Sequence, residues 1–295
     1  MGCVLVTMHP MPPAPRIDQL LRDARARAVH ADVETADAEL LLAHVLGKSR
    51  SWLYAHGEDV LADADVARYT TLFERRIAGE PLAYLTGRKG FWRFELQVTP
   101  DTLIPRPETE LLVELALAHL PRDRPVRIAD LGTGSGAIAL ALAYERPKAQ
   151  IVAVDASVAA LDVARANARA LRLPNIEFRH GDWCDALGGE TFDVIASNPP
   201  YIALGDLHLD ALRYEPASAL SSGHDGLDAI RAILAHAADH LAPGGALLVE
   251  HGYRQGAKVR ALFDAASLRD VETAHDVERR ERVTSGFKAG ASALG

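Results

Sequence analysis

Cysteine is nearly absent from this 295-residue chain, which carries only Cys3 and Cys184. Two thiols so far apart in sequence build no disulfide framework, and they cannot hold a zinc ion by themselves. The twelve histidines are scattered and never fall in a ligand spacing such as H-E-x-x-H, so no metal is expected. No apolar run approaches the roughly 20 residues that a membrane span needs. The N-terminal MGCVLVTMHPMPPAP has an apolar stretch too short for a signal peptide and no basic flank. Val6 stands where a myristoylation signal wants Ser or Thr. A cytoplasmic protein is the simplest expectation. An excess of positive charge is missing too. The net charge is −8, and Lys+Arg against Asp+Glu count 11 to 12 through Gly90 and 21 to 28 beyond it. Proteins whose main ligand is nucleic acid usually present a basic face. The balance therefore favours a protein or small-molecule substrate, with no DNA and no membrane.

What is present divides into two kinds of pattern. From Ile17, apolar residues at Ile17, Leu20, Leu21, Ala24 and Ala28 fall on one helical face. A second helix is predicted over Ala36–Leu46, stopped by Gly47, and a third over Asp63–Ala78, burying Val66, Tyr69, Phe73 and Ile77. No strand pattern precedes residue 90. The alternation Phe91, Trp92, Phe94, Leu96, Val98 then predicts a strand or hairpin. It is followed by a stiff proline loop, Leu103 to Glu110 (LIPRPETE), and a helix over Glu110–Leu120. After Pro125, strands and helices alternate. Strands are predicted at Val126–Leu131, Ile151–Val154, Ile176–Arg179, Val194–Ser197, Ala246–Glu250, Asp270–Ala274 and Arg282–Phe287. Helices are predicted at Ala137–Tyr144, Val158–Leu171, Leu227–Leu241 and Gln255–Ala266. Such alternation makes a doubly wound α/β sheet. The expected organisation is a tail over 1–15, a helical domain over 16–88, a linking hairpin and proline loop over 89–108, and an α/β domain over 109–295.

Four motifs carry chemistry. In Asp130-Leu131-Gly132-Thr133-Gly134-Ser135-Gly136, glycines between a strand and a helix let the backbone approach a ligand, and the helix N-terminus offers N–H donors. Gly132-x-Gly134-x-x-Ala137 also fits a dinucleotide fingerprint, so alone it does not separate NAD from S-adenosylmethionine, and it also fits a tight turn without a ligand. Asp155, at the end of the next strand, suits the two ribose hydroxyls of a nucleoside; read alone, it equally suits a helix cap. In Gly181-Asp182-Trp183, Asp182 can accept from an adenine amino group and Trp183 can supply a flat apolar wall, or serve as ordinary core.

The fourth motif, Asn198-Pro199-Pro200-Tyr201, discriminates most. A planar amide or amino NH₂ has two in-plane donors. The Asn198 side-chain oxygen and the carbonyl after it can accept both, which frees the nitrogen lone pair to point at a methyl donor. Two prolines fix φ and remove competing donors, and Tyr201 can pack on the planar group. The competing reading is a bare proline turn. Its position at a strand end, where open α/β sheets bind ligands, argues for the site.

Together these residues resemble the HemK/PrmC family, protein-(glutamine-N5) methyltransferases that modify peptide chain release factors. The similarity extends through Tyr214-Glu215-Pro216, Asp225-Gly226-Leu227, Pro243-Gly244-Gly245 and Glu281-Arg282-Val283-Thr284, and covers nearly the whole chain except the tail before Arg16. The resemblance implies a class I S-adenosylmethionine-dependent fold with a small all-helical N-terminal domain. It implies cofactor contacts at Gly132, Thr133, Gly134, Ser135, Gly136, Asp155, Asp182, Trp183 and Asn198. It implies that Asn198, Pro199, Pro200 and Tyr201 hold the glutamine of a Gly-Gly-Gln loop, presented by a class I release factor that docks on the helical domain of a monomeric enzyme. Direct in-line transfer without a covalent intermediate follows. No strong general base is evident near the Asn-Pro-Pro-Tyr motif, so the excess proton is expected to leave after transfer. Three rivals are distinguishable in principle: a ribosomal-protein glutamine methyltransferase, an adenine-N6 methyltransferase, and an NAD-dependent oxidoreductase. A fourth, a non-catalytic S-adenosylmethionine sensor, sits badly with an intact motif.

Overall fold

A computed structural model describes residues 14–290 apart from Asp123, so the expected tail lies, up to residue 13, outside the described residues. Two compact units are present, divided between Thr86 and Gly87.

The first unit is helical. In α1 (Ile17–His30) the face Ile17, Leu21, Ala24 and Ala28 is buried, while Leu20 lies at its margin. Helix α2 (Thr35–Leu46) stops at Gly47, whose φ of 62° is the left-handed conformation that ends helices. The expected third helix is α4 (Asp63–Ile77). It buries Tyr69 and Phe73, but Val66 and Ile77 are only half-buried. Two helices escape the sequence reading: α3 (Arg50–Ala55) and α5 (Leu82–Thr86), each too short to display a period. Ser49 caps α3 by accepting from Trp52 N at 3.2 Å.

The second unit opens with a hairpin rather than a single strand. Strands β1 (Arg88–Phe91) and β2 (Phe94–Gln97) pair antiparallel around a turn in which Trp92 takes φ 56°. The hairpin is bound to the body of the unit, because Asn167 donates to Gln97 O at 3.0 Å and accepts from Gln97 N at 2.8 Å. Then follow α6 (Thr109–His119), β3 (Arg127–Leu131), α7 (Ala137–Glu145), β4 (Gln150–Asp155), α8 (Val158–Leu171), β5 (Ile176–His180) and β6 (Phe192–Ser197). A short α9 (His208–Ala211) precedes α10 (Asp228–His240), β7 (Leu241–Glu250), α11 (Gly256–Ala265), β8 (Arg269–His275) and β9 (Glu281–Phe287).

These strands form one seven-stranded sheet of order β5-β4-β3-β6-β7-β9-β8. The first five run parallel, and β9 joins β7 and β8 antiparallel. Both faces are covered, so the central strands are apolar almost throughout. Along β7, Ala246 and Leu248 face the core under α6 and α7, while Leu247 and Val249 face the core under α10 and α11. The start of β7 corrects the sequence reading. The strand begins at Leu241 and runs through Pro243-Gly244-Gly245, which were expected to separate a helix from a strand. The pairing with β6 slips there, from Phe192↔Leu241 to Val194↔Ala246, and that irregularity accommodates the proline and glycines.

Chain order reverses between β3 and β6: β4 and β5 lie to one side and β7 to the other. Ligands bind beyond the carboxyl ends of the strands at such a point. Leu131 and Ser197, the last residues of β3 and β6, are register partners, and Ser197 Oγ donates to Leu131 O at 2.7 Å.

Candidate active site

The loops that leave β3, β4, β5 and β6 enclose, beside this switch point, a cavity of about 450 Å³. Its wall includes Gly132, Thr133, Gly134 and Ser135 after β3, Asp155 at the end of β4, Asp182 and Trp183 after β5, and Asn198 and Pro200 after β6. Segments 100–105 and 216–219 complete it, with Thr109 at the head of α6.

The glycine loop is held from below. Gly132 N and Thr133 N both donate to Val154 O at 2.9 Å, and Asn167 Nδ2 donates to Ser135 O at 2.9 Å. Gly132 has φ 73°, and a Cβ there would lie 3.2 Å from Cζ3 of Trp183, so its bare backbone makes room for the indole. Gly136 is not on the wall. It caps α7 at φ 88°, where a Cβ would crowd Leu140 and Ala164. Beneath the loop Asp130 is fully buried; one oxygen accepts from the Thr133 hydroxyl at 2.6 Å and from Ala139 N at 3.1 Å, and the other has no partner. Burial pushes its carboxyl up to about 7.

Asp155 is not the cap of α8. Ser157 fills that place, accepting from Ala160 N at 3.2 Å. The Asp155 carboxylate instead accepts from Ser157 N and Gly134 N, both at 2.8 Å, and thereby ties the glycine loop to β4. Burial raises its pKa. Trp183 starts a 3-10 turn (Trp183–Leu187) with φ 40°, a strained backbone for a bulky residue, and this turn sets the indole against the glycine loop.

On the β6 side, Asn198 donates Nδ2 to the Thr109 hydroxyl at 3.1 Å, and its Oδ1 has no partner. Pro200 lies on the wall, whereas Pro199 is buried and Tyr201 stands behind the wall. The Tyr201 carbonyl accepts from Gln255 Nε2 at 3.0 Å. Its hydroxyl interacts with Glu250, and burial raises the Tyr201 pKa. Glu250, at the end of β7, is also pushed up by burial, to about 7. The proline loop is fastened by Glu215, which accepts from Ile104 N at 3.0 Å and pairs with Arg106.

Thr109 and Glu250 are the residues that sequence reading left without a role. Both stand inside stretches it singled out, the proline loop and the strand Ala246–Glu250. The available signal was a carboxylate closing an apolar strand, Leu247-Leu248-Val249-Glu250. Chemically, the cavity joins a glycine cradle with a carboxylate, suited to a nucleoside-bearing ligand, to an orphan amide oxygen suited to a substrate N–H. Among the described residues no group of three or more His, Cys, Asp or Glu could hold a metal.

The chain is similar to known proteins along most of its length. Residues 19–87 match the PrmC N-terminal domain model, and residues 108–214 match the methyltransferase small domain model. A release factor glutamine methyltransferase from Xylella fastidiosa is 55% identical over 86% of this chain and 93% of its own length. That of Escherichia coli is 47% identical over 90% and 96% respectively. Among solved structures, a 16S rRNA methyltransferase from T. thermophilus in complex with AdoMet and guanosine matches with a TM-score of 0.51 at 22% identity, over 68% of this chain and 49% of that one. A methyltransferase from Pyrococcus furiosus matches with a TM-score of 0.50 at 19% identity, over 75% of this chain and 99% of that one. Those two likenesses concern the fold.

Proposed function

This chain belongs to the release factor glutamine methyltransferase family, and from that premise we propose that it methylates the side-chain amide nitrogen of the glutamine in the Gly-Gly-Gln motif of peptide chain release factors, with S-adenosylmethionine as methyl donor. One observation carries the reading. Asn198 stands in the same cavity as the glycine loop and Asp155, with its NH₂ committed to Thr109 and its oxygen without a partner.

The residues present fit the cofactor. Gly132 and Gly134 give the loop positive φ angles and bare Cα atoms that admit close backbone approach, and Asp155, bonded to Gly134 N, places its carboxylate oxygens beside it. In this reading Gly132, Thr133, Gly134, Ser135 and Gly136 shape the site for the cofactor's amino-acid end. Asp155 takes the ribose, and Asp182 with Trp183 takes the adenine. When bound, S-adenosylmethionine supplies a methyl group on a positively charged sulfur; the acceptor nitrogen gains that methyl and sheds one proton. Asn198 Oδ1 accepts one amide N–H of the substrate. The carbonyl after it accepts the other, held still by Pro199 and Pro200. Tyr201 backs the loop. Pinning both N–H bonds turns the nitrogen lone pair out of conjugation and aims it, so the contribution is positioning and preorganised dipoles.

The reading extends to partners. The helical unit docks the release factor, the enzyme acts as a monomer in the cytoplasm, and a net charge of −8 argues against DNA as substrate. The test is incubation with labelled cofactor and purified release factors, ribosomal proteins and DNA, followed by mapping of the methyl group. Label on the Gly-Gly-Gln glutamine is the expected result. Label only on a ribosomal protein or on adenine overturns it.

A further inference from the structure

We propose that Glu250 is a positioning residue for the methyl acceptor: acting through the Thr109 hydroxyl, it sets which way the Asn198 side-chain amide points. The inference rests on the reading of Asn198 as the substrate's hydrogen-bond acceptor.

The geometry is a chain of three side chains from three different elements. Glu250 ends β7 and is 1% exposed. Thr109 opens α6, and its hydroxyl neighbours the Glu250 carboxylate, one oxygen of which is buried without a hydrogen-bond partner. The same hydroxyl oxygen accepts Asn198 Nδ2 at 3.1 Å. A hydroxyl has one proton and two acceptor sites, while an ionised carboxylate only accepts. With Glu250 ionised, Thr109 turns its proton toward the unpartnered carboxylate oxygen. It can then only accept from Asn198, so Nδ2 faces Thr109. The amide oxygen is thereby turned the other way, where no protein group meets it. A protonated Glu250 can donate to Thr109 instead. The Thr109 proton is then free for the Asn198 oxygen, the amide flips, and an NH₂ confronts the substrate's own NH₂.

The groups facing Glu250 leave this choice finely balanced. Arg282 of β9 favours the charged form, as do the Thr109 and Tyr201 hydroxyls, while burial and Glu108 oppose it. The result is a carboxyl pushed up to about 7. Thr109 and Tyr201 reach Glu250 from the two motifs that frame the acceptor, so the carboxylate also braces them against each other.

The test uses single-turnover methylation of a release factor, with cofactor saturating, at several pH values between about 5.5 and 8.5. In the wild type the rate should rise with pH around a midpoint near 7. Glu250→Gln should lose that rise and run about 10- to 100-fold slower, with cofactor affinity and the KM for release factor nearly unchanged. Thr109→Ser should keep the wild-type profile; Thr109→Val should behave like Glu250→Gln. A second readout needs no turnover. The Asn198 side-chain amide resonances in ¹⁵N-labelled enzyme should shift with the same midpoint in the wild type and stay fixed in Glu250→Gln. If Glu250→Gln does not fold, the Thr109 pair and the wild-type resonances decide. Wild-type rate in Thr109→Val, or an Asn198 amide blind to pH, overturns the proposal. If release factor is not methylated while the amide titrates as described, the substrate assignment fails and the positioning role stands.

Discussion

Gly226 offers a test of how tightly the Asn-Pro-Pro-Tyr loop must be held. It lies far from the loop in sequence, yet its missing side chain is what lets the loop sit where it does. Gly226 has φ 75°, and a Cβ built on it would stand 2.2 Å from the Tyr201 carbonyl oxygen and 2.8 Å from Gln255 Nε2. Ordinary contact begins at 3.4 Å, so Gly226→Ala must push the Tyr201 backbone away by more than 1 Å. The left-handed conformation adds about 1–2 kcal/mol of strain for a residue with a Cβ. The displacement also breaks the bond from Gln255 Nε2 to Tyr201 O, now 3.0 Å. Pro199 and Pro200 are stiff, so a shift at Tyr201 is passed on to Asn198 rather than absorbed. A misplacement of about 1 Å costs roughly 10²-fold in rate. The strain itself should lower Tm by about 2–8 °C. The assay is single-turnover methylation of release factor, with thermal unfolding and calorimetric cofactor binding on the same preparation. The expected variant is folded, binds cofactor almost normally and turns over about 10²-fold more slowly. A folded Gly226→Ala enzyme at wild-type rate would refute the reasoning.

Three further outcomes are expected. Asp155→Ala should weaken cofactor binding by about 1.5–3 kcal/mol per lost hydrogen bond, and calorimetry showing unchanged affinity removes Asp155 from the ribose role. Asn198→Ala should lose at least ~10² in turnover with cofactor saturating; a wild-type rate would mean that its orphan oxygen does not hold the substrate. Asp130, pushed from 3.8 up to about 7, keeps its proton in the folded chain where the unfolded chain has already released it, so its contribution to stability falls as pH rises between those values. Urea titrations at about pH 4 and pH 8 should show Asp130→Asn gaining on the wild type by on the order of 2–4 kcal/mol at the higher pH, and parallel stabilities would refute the shift.

The legible parts of this chain are those whose signal is local. The positions of Gly132 to Ser135, Asp155 and Asn198 on the cavity wall could be read because each ends or follows an apolar strand. Helix α8 could be read because Ala160, Leu161, Ala164 and Ala168 repeat at helical spacing. Helices α3 and α5 could not, because six and five residues do not complete two turns. Pro243-Gly244-Gly245 read as a break because proline and glycine usually interrupt strands. Here a slip in the ladder absorbs them, and Gly245 lets β7 pass the Phe192 carbonyl, 2.9 Å from where a Cβ would stand. Sequence adjacency also gave no side. Asn198 and Pro200 line the cavity, while Pro199 and Tyr201 do not. Thr109 and Glu250 were left without a role for a different reason. Their meaning is a contact between α6 and β7, and only the finished sheet makes it.

The pairing of Leu131 with Ser197 has a consequence for motion. The glycine loop begins one residue past Leu131 and the Asn-Pro-Pro-Tyr loop one residue past Ser197, so both are rooted on the same rung of one ladder. Neighbouring strands keep a spacing of about 4.8 Å that backbone hydrogen bonds enforce. When the sheet twists or breathes, the two roots are carried together, and their separation changes far less than their position in the molecule. The span between the two loop roots is thus gauged by the spacing of the ladder itself.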